Sequence, residues 1–250
     1  MIGTGRVLDY ILSRLKEGKL HMTLIDPDKQ SPERASEMAR KAADAGTSAI
    51  MVGGSTGVDQ EKTDRTVLSI KRAASVPVIA FPSSAAGLSR HLDAVFFLSV
   101  LNSREPENII RAQSKGALIV KKLGIEAIGM GYVVVAPGMR VGQVSNAEAV
   151  ERDDPGLAVS YALAAEYLGM KLVYLEAGSG APAHVPCSMI SAVKNEISIP
   201  LIVGGGIRTL QDAIEVSQSG ADIIVTGTIA EEDRTLAALE AIIRGLRASH

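Results

Sequence analysis

Tryptophan is absent from this chain, and its 250 residues include only three phenylalanines and five tyrosines. Stacking on nucleic-acid bases needs aromatic rings, so the composition argues against a nucleic-acid partner. An excess of either charge is missing too: 26 Lys and Arg stand against 28 Asp and Glu, a net charge of −2. Nothing there draws the chain to a polyanion or an anionic membrane. There is one cysteine, Cys187. It cannot close an intrachain disulfide, which fits a reducing cytoplasm. It follows Pro186 at an expected helix start, where a thiol is sometimes reactive; packing is the plainer role. Long apolar runs are also lacking. No stretch reaches the roughly 18 to 20 residues that span a bilayer, and none has the order of a signal peptide. The expectation is a cytoplasmic protein with no transmembrane segment.

What the sequence does have is a rhythm. Short β-branched or apolar runs alternate with longer amphipathic stretches, the pattern of parallel β/α units. Eight runs read as strands: Leu20–Ile25, Ser48–Val52, Val78–Phe81, Ala94–Leu98, Gly131–Val135, Leu172–Leu175, Leu201–Val203 and Ile223–Thr226. They are nearly continuous in apolar character, as strands covered on both faces are. The prediction is an α/β fold, a (βα)8 TIM barrel, forming one domain over residues 1–250. Helix punctuation agrees. Ser31-Pro32 supplies an N-cap followed by proline at the first helical position. Thr209 to Asp212 reads as a capping box. Gly46, Gly169 and Gly220 each end a helix just before a strand. One interval breaks the pattern. Only twelve residues separate Phe81 from Ala94, too few for a regular helix with its two loops. Either the third helix is missing or the fourth strand begins elsewhere. The first option leaves a gap in the outer ring, filled by small residues.

Function in this fold sits at the C-terminal ends of the strands. Three late strands end in glycine clusters: Tyr174-Leu175-Glu176-Ala177-Gly178-Ser179-Gly180, Gly204-Gly205-Gly206-Ile207-Arg208, and Gly227-Thr228. Glycines expose backbone N–H groups and let a phosphate come close, and a following helix N-terminus adds a favourable dipole. Each cluster alone also reads as a tight turn; three at consecutive strand ends point to a bound phosphate ester. Two early strand ends differ. The first carries Asp26-Pro27-Asp28 and the second Gly53-Gly54-Ser55. Asp26 and Ser55 would offer oxygen ligands of the kind Mg2+ takes. Asp26 serving its own turn and Asp28 capping the next helix are the competing roles.

Taken together and in order, Leu24–Asp28, Gly53–Ser55, Leu98–Ser103, Tyr174–Gly180, Gly204–Arg208 and Gly227-Thr228 resemble the geranylgeranylglyceryl phosphate synthase family. The likeness covers nearly the whole chain, and the Tyr174–Gly180 segment is its most specific part. That family's modified barrel lacks a regular third helix, in agreement with the short interval above. The resemblance implies a prenyl transfer. The C3 hydroxyl of sn-glycerol 1-phosphate would attack C1 of geranylgeranyl diphosphate, and diphosphate would leave. It further implies Mg2+ on Asp26 and Ser55, and glycerol phosphate on Tyr174, Leu175, Glu176, Ala177, Gly178, Ser179, Gly180, Gly205, Gly206, Gly227 and Thr228. Glu176 is then the general base or the group that orients the hydroxyl, with Tyr174 beside it.

Some members have a lysine two residues before the metal aspartate; here that position is Leu24, so no phosphate contact from it is expected. Lys121 and Lys122 lie too far off to substitute. The four histidines show no metal-ligand spacing along the sequence. Arg208 is read equally as a phosphate contact or as a partner of a neighbouring carboxylate. Ser83–Gly87, with Phe96, Phe97 and Leu101, would line an apolar groove for the prenyl chain. The rival readings are a heptaprenylglyceryl phosphate synthase, a phosphate-sugar isomerase or cyclase barrel, and a phosphate-sensing module. The isomerases pair acid and base at the first and fifth strands, whereas the fifth strand here runs into Pro137-Gly138 without a carboxylate. By analogy with similar barrels a homo-oligomer is expected.

Overall fold

The computed structural model describes residues 6–53, 60–227, 229 and 236–248. Eight parallel strands close into a barrel in sequence order, β1 to β8. They are β1 Leu20–Ile25, β2 Ala49–Val52, β3 Val78–Ala80, β4 Ala94–Val100, β5 Glu126–Val134, β6 Leu172–Glu176, β7 Leu201–Gly204 and β8 Ile223–Thr226. The helices are α1 Arg6–Leu15, α2 Pro32–Ala45, α3 Gln60–Ala73, α4 Ala112–Leu123, α5 Met139–Val144, α6 Pro155–Tyr167, α7 Cys187–Glu196, α8 Leu210–Gln218 and α9 Ala237–Ala248. None of the described helices is long and apolar enough to cross a membrane.

Alternation along each strand sorts its side chains into two layers. Met22, Met51, Ile79, Phe96, Met130, Tyr132, Tyr174, Ile202 and Val225 fill the barrel interior. Ile25, Val52, Val78, Val95, Val133, Leu175, Val203 and Ile224 pack outward beneath the helices. Each full burial of such a side chain stabilises the fold by roughly 1.5–3 kcal/mol, and this double coverage is what makes the strands readable as apolar runs. The base of the barrel is closed by α1. Its Val7 and Ile11 join the interior layer, and the Glu126 carboxylate accepts from the N–H groups of Val7 and Leu8 at 2.7 and 3.0 Å. That use explains why β5 begins at a charged residue, five positions ahead of the run starting at Gly131.

The helix ends match their signals. Ser31 caps α2 by accepting from Arg34 N–H, and Gly46 ends it in the left-handed region at φ +109°. Thr209 and Asp212 form a reciprocal capping box on α8. Between β3 and β4 the only helical turn is a 3-10 segment, Ala85–Gly87. The third helix of the barrel is therefore replaced by one short turn. It meets α4 closely: a Cβ placed on Gly116 would lie 3.2 Å from that of Ala85.

Candidate active site at the barrel mouth

The last residues of β5 and β6 set the core of the site. Parallel pairing places Tyr132 beside Tyr174 and Val134 beside Glu176. Tyr132 and Tyr174 point into the barrel, and Phe81 from the end of β3 completes a cluster. Phe81 stacks on Tyr174 at 5.7 Å and 24°, while the two tyrosine rings tilt at 5.0 Å and 42°. Above this floor lies Glu176. Its Oε2 accepts from the Tyr132 hydroxyl at 3.1 Å and its Oε1 from Gly178 N–H at 2.7 Å. Burial pushes the Glu176 carboxyl above its ordinary pKa, opposed by Gly178 N–H and by the hydroxyls of Tyr132 and Tyr174. Burial and the neighbouring carboxylate hold both tyrosines well above theirs. The arrangement suits a carboxylate kept basic enough to take a proton.

Tyr132 was not among the sequence candidates. It sits inside an apolar strand, and the pairing across to β6 gives it a polar partner.

The glycines at the end of β7 do something besides opening backbone N–H groups. A Cβ on Gly204 would run into the Tyr174 hydroxyl, and one on Gly205 into Glu176 Oε1 and the backbone of Gly178. Gly205 also has φ +83°. Two glycines of the β7 end thus make room for the polar side chains of β6. Leu175 and Ala177 point into the helix-facing layer, so only their backbone faces the mouth. Gly178, Ser179 and Gly180 form the turn above Glu176. Gly227 packs on Leu24, whose Cβ would be 3.3 Å from a Cβ added there. Arg208 Nη2 donates to the Gly180 carbonyl at 3.1 Å, and its backbone N–H donates to the Asp212 carboxylate at 2.9 Å. It ties the loop after β7 to the loop after β6.

Across the mouth, Asp26 is buried at the end of β1 and accepts from Asp28 N–H at 2.9 Å. The turn role weighed for it is therefore real. Asp28 does not cap α2; its Oδ1 pairs with Lys62 at 2.9 Å, and Ser31 is the cap. Ser55 and Thr228 lie outside the described residues.

Asp26, Asp28, Glu176, Ser179 and Gly227 share one cavity of about 800 Å3. That is toward the upper end of the roughly 300–1,000 Å3 of small-molecule sites. Lys29 and Arg140 join its wall and supply cations that no sequence motif announced. The cavity continues down the side of the barrel where the regular helix is missing. Ser83, Ser84 and Ala85 line it, as do Phe96 and Phe97 of β4 and Ala112, Gly116 and Val120 of α4. Of the residues expected to line such a groove, Gly87 and Leu101 are not in the wall, and Leu101 packs against the helix-facing core instead. Asn102 is structural. Its amide bridges Val134 and Glu148, fixing the loops after β4 and β5.

Known proteins share this arrangement. A profile of the PcrB family matches residues 13–246. A geranylgeranylglyceryl phosphate synthase of Thermococcus sibiricus is 54% identical over 99% of this chain and 98% of its own. Another, from Pyrococcus horikoshii, is 54% identical over 97% of each chain. Among solved structures, (S)-3-O-geranylgeranylglyceryl phosphate synthase of Thermoplasma acidophilum, in complex with its substrate sn-glycerol-1-phosphate, superposes with a TM-score of 0.94. It is 45% identical and covers 98% of this chain and 100% of that one. A tryptophan synthase chain of Mycobacterium tuberculosis, 16% identical at a TM-score of 0.62 over 98% of each chain, shares the fold alone.

Proposed function

The chain belongs to the PcrB family, and from that premise we propose that it joins the C3 hydroxyl of sn-glycerol 1-phosphate to C1 of geranylgeranyl diphosphate. One observation carries the reading: a single cavity has a buried carboxylate at its mouth and an apolar gallery running down the thin wall. An acceptor alcohol with a phosphate needs the first part, and a long prenyl chain needs the second.

The acceptor phosphate would rest on the backbone of the Gly178–Gly180 turn, Gly205-Gly206 and Gly227. Its C3 hydroxyl then faces Glu176. As the new C–O bond forms, the C1–oxygen bond to diphosphate breaks and Glu176 takes the hydroxyl proton. Tyr132 and Gly178 N–H hold one carboxylate oxygen each, so the base is fixed before the substrates arrive. Lys29 and Arg140 in the same wall favour an anionic headgroup.

Mg2+ fits the other half of the mouth. Asp26 is a carboxylate at the cavity wall with one oxygen held by the turn. Mg2+ commonly takes only one or two carboxylates and completes its shell with water and substrate phosphates. Asp26 would hold it, with Ser55 a second oxygen donor. When bound, the ion would neutralise charge building on the leaving diphosphate. A homo-oligomer also fits, since Leu157 and Tyr167 on α6 and Leu168 just after it are exposed.

The test is an assay of chelator-treated protein with sn-glycerol 1-phosphate and a ladder of prenyl diphosphates, with and without Mg2+. The expected result is Mg2+-dependent ether formation, reduced at least about tenfold in Asp26→Asn. No turnover with any donor overturns the reading.

A further inference from the structure

Outside the cavity, three side chains of different chemistry converge. His184 lies in the loop after β6, Cys187 opens α7 and Glu215 sits on α8. One ligand atom from each lies within 4.8 Å of the other two. The geometry points to a second metal site here, for a borderline divalent cation of the Zn2+ class.

The histidine ring is already set for this role. His184 Nδ1 lies 2.7 Å from the Val185 carbonyl. A carbonyl only accepts, so Nδ1 carries the hydrogen, and the tautomer this selects has its lone pair at Nε2. A ring N–H given to a backbone carbonyl is the usual support behind a metal-bound histidine. Nε2 faces Glu215 Oε2 at 3.7 Å. That is too long for a direct hydrogen bond, and two electron-rich atoms gain nothing by facing each other. A cation between them satisfies both. The second Glu215 oxygen is held by Gln211 Nε2 at 2.9 Å, which leaves Oε2 for the site.

The third atom decides the class of ion. Cys187 Sγ has as its protein contact the Glu215 carbonyl at 3.9 Å, a long and weak bond. Mg2+ and Ca2+ take oxygen and leave thiolates alone, whereas Zn2+ accepts nitrogen, oxygen and sulfur. Tetrahedral Zn2+ with bonds of about 2.0–2.3 Å puts its ligand atoms roughly 3.3–3.7 Å apart. From within 4.8 Å of one another, the three would close to that spacing around the ion, with water in the fourth position and the Cys187 proton released to solvent. A protonated His184 paired with Glu215 is the competing explanation, and it gives Cys187 no part.

Such a site would clamp the loop after β6 onto α8. That loop already touches the glycine run: a Cβ on Gly206 would meet Ala183 and His184 N. Arg152 Nη2 holds the His184 carbonyl at 2.9 Å. Occupancy is therefore expected to stiffen the loops around the proposed phosphate site without adding a group to the chemistry.

Cys187 is the only cysteine of the chain, so a thiolate-to-Co2+ charge-transfer band reports on this site and no other. Reduced, chelator-stripped full-length protein is titrated with Co2+ and then Zn2+. The expected result is a band saturating near one equivalent and bleached by Zn2+. It is absent in Cys187→Ser, and Co2+ affinity falls at least about tenfold in His184→Asn and Glu215→Gln. Zn2+ should also raise the melting temperature of the wild type but not of Cys187→Ser. Absence of the band in the wild type overturns the proposal, as does a band that His184→Asn and Glu215→Gln leave unchanged. Melting that depends on His184 and Glu215, with no response to metal, assigns the pair to a plain ion pair.

Discussion

The Tyr132 hydroxyl donates to Glu176 Oε2 at 3.1 Å, from the strand next to the one that carries the carboxylate. The bond stabilises the ionised form, against a burial that raises the Glu176 pKa. If Glu176 is the base, kcat/KM falls as pH drops through that raised pKa, because the protonated carboxyl cannot accept the hydroxyl proton. Tyr132→Phe removes a stabiliser of the charged form, so the acid limb should move to higher pH. Tyr174→Phe should move it the same way. Glu176→Gln should lower kcat by roughly 10²–10⁴. Superimposable pH–rate profiles for the wild type and both tyrosine variants would remove Glu176 from the base role.

The second relationship is steric. Gly204 leaves the space that the Tyr174 hydroxyl fills, so Gly204→Ala should destabilise the fold by about 1–3 kcal/mol, the usual range for overpacking. Deleting the hydroxyl with Tyr174→Phe should recover part of that loss in the double variant. Urea denaturation of the four proteins measures the coupling. Simple additivity would mean that Gly204 serves only its own backbone.

The groove can be probed from α4. Ala112 lines the cavity beside the 3-10 turn, and Ala112→Phe should fill space there. If the prenyl chain lies in this gallery, kcat/KM should fall more for geranylgeranyl diphosphate than for geranyl diphosphate. The measurement is a ratio, so a general loss of activity cancels. An unchanged ratio would place the chain elsewhere.

The barrel was legible because strands covered on both faces repeat one signal eight times. Glycines at helix ends before strands marked the units. The count of residues between Phe81 and Ala94 left two options, a missing third helix or a displaced fourth strand, and the structure has the first. What stayed hidden was contact between distant segments. The start of β5 was missed because Glu126 looks like a loop residue until α1 is seen above it. Tyr132 was not singled out, because its partner lies 44 residues away. The glycines at the end of β7 read as phosphate-binding turns, and two of them also make room for Tyr174 and Glu176. His184 and Cys187 stand three apart, but Glu215 comes 28 residues after Cys187, so no spacing rule joined them.

A histidine in β1 gives the last prediction. His21 is the second residue of β1, fully enclosed, with Nδ1 3.0 Å from Thr47 Oγ1 and Nε2 2.9 Å from Thr226 Oγ1. Burial lowers its pKa from 6.5 to about 3. The folded state therefore keeps it neutral where the unfolded chain takes up a proton. Its contribution is intact above about pH 6.5 and is lost progressively as pH falls toward 3. By pH 5 the loss should reach about 2 kcal/mol relative to pH 8, since each pH unit below 6.5 costs about 1.36 kcal/mol. Most surface carboxylates are still ionised there, and Glu176, its pKa raised by burial, acts with the opposite sign, so the comparison with a His21 variant is what separates the histidine. Urea midpoints across that range should fall for the wild type, and much less for His21→Gln, which has no proton to gain. A parallel fall in both proteins would show that other groups set the acid limit of the fold.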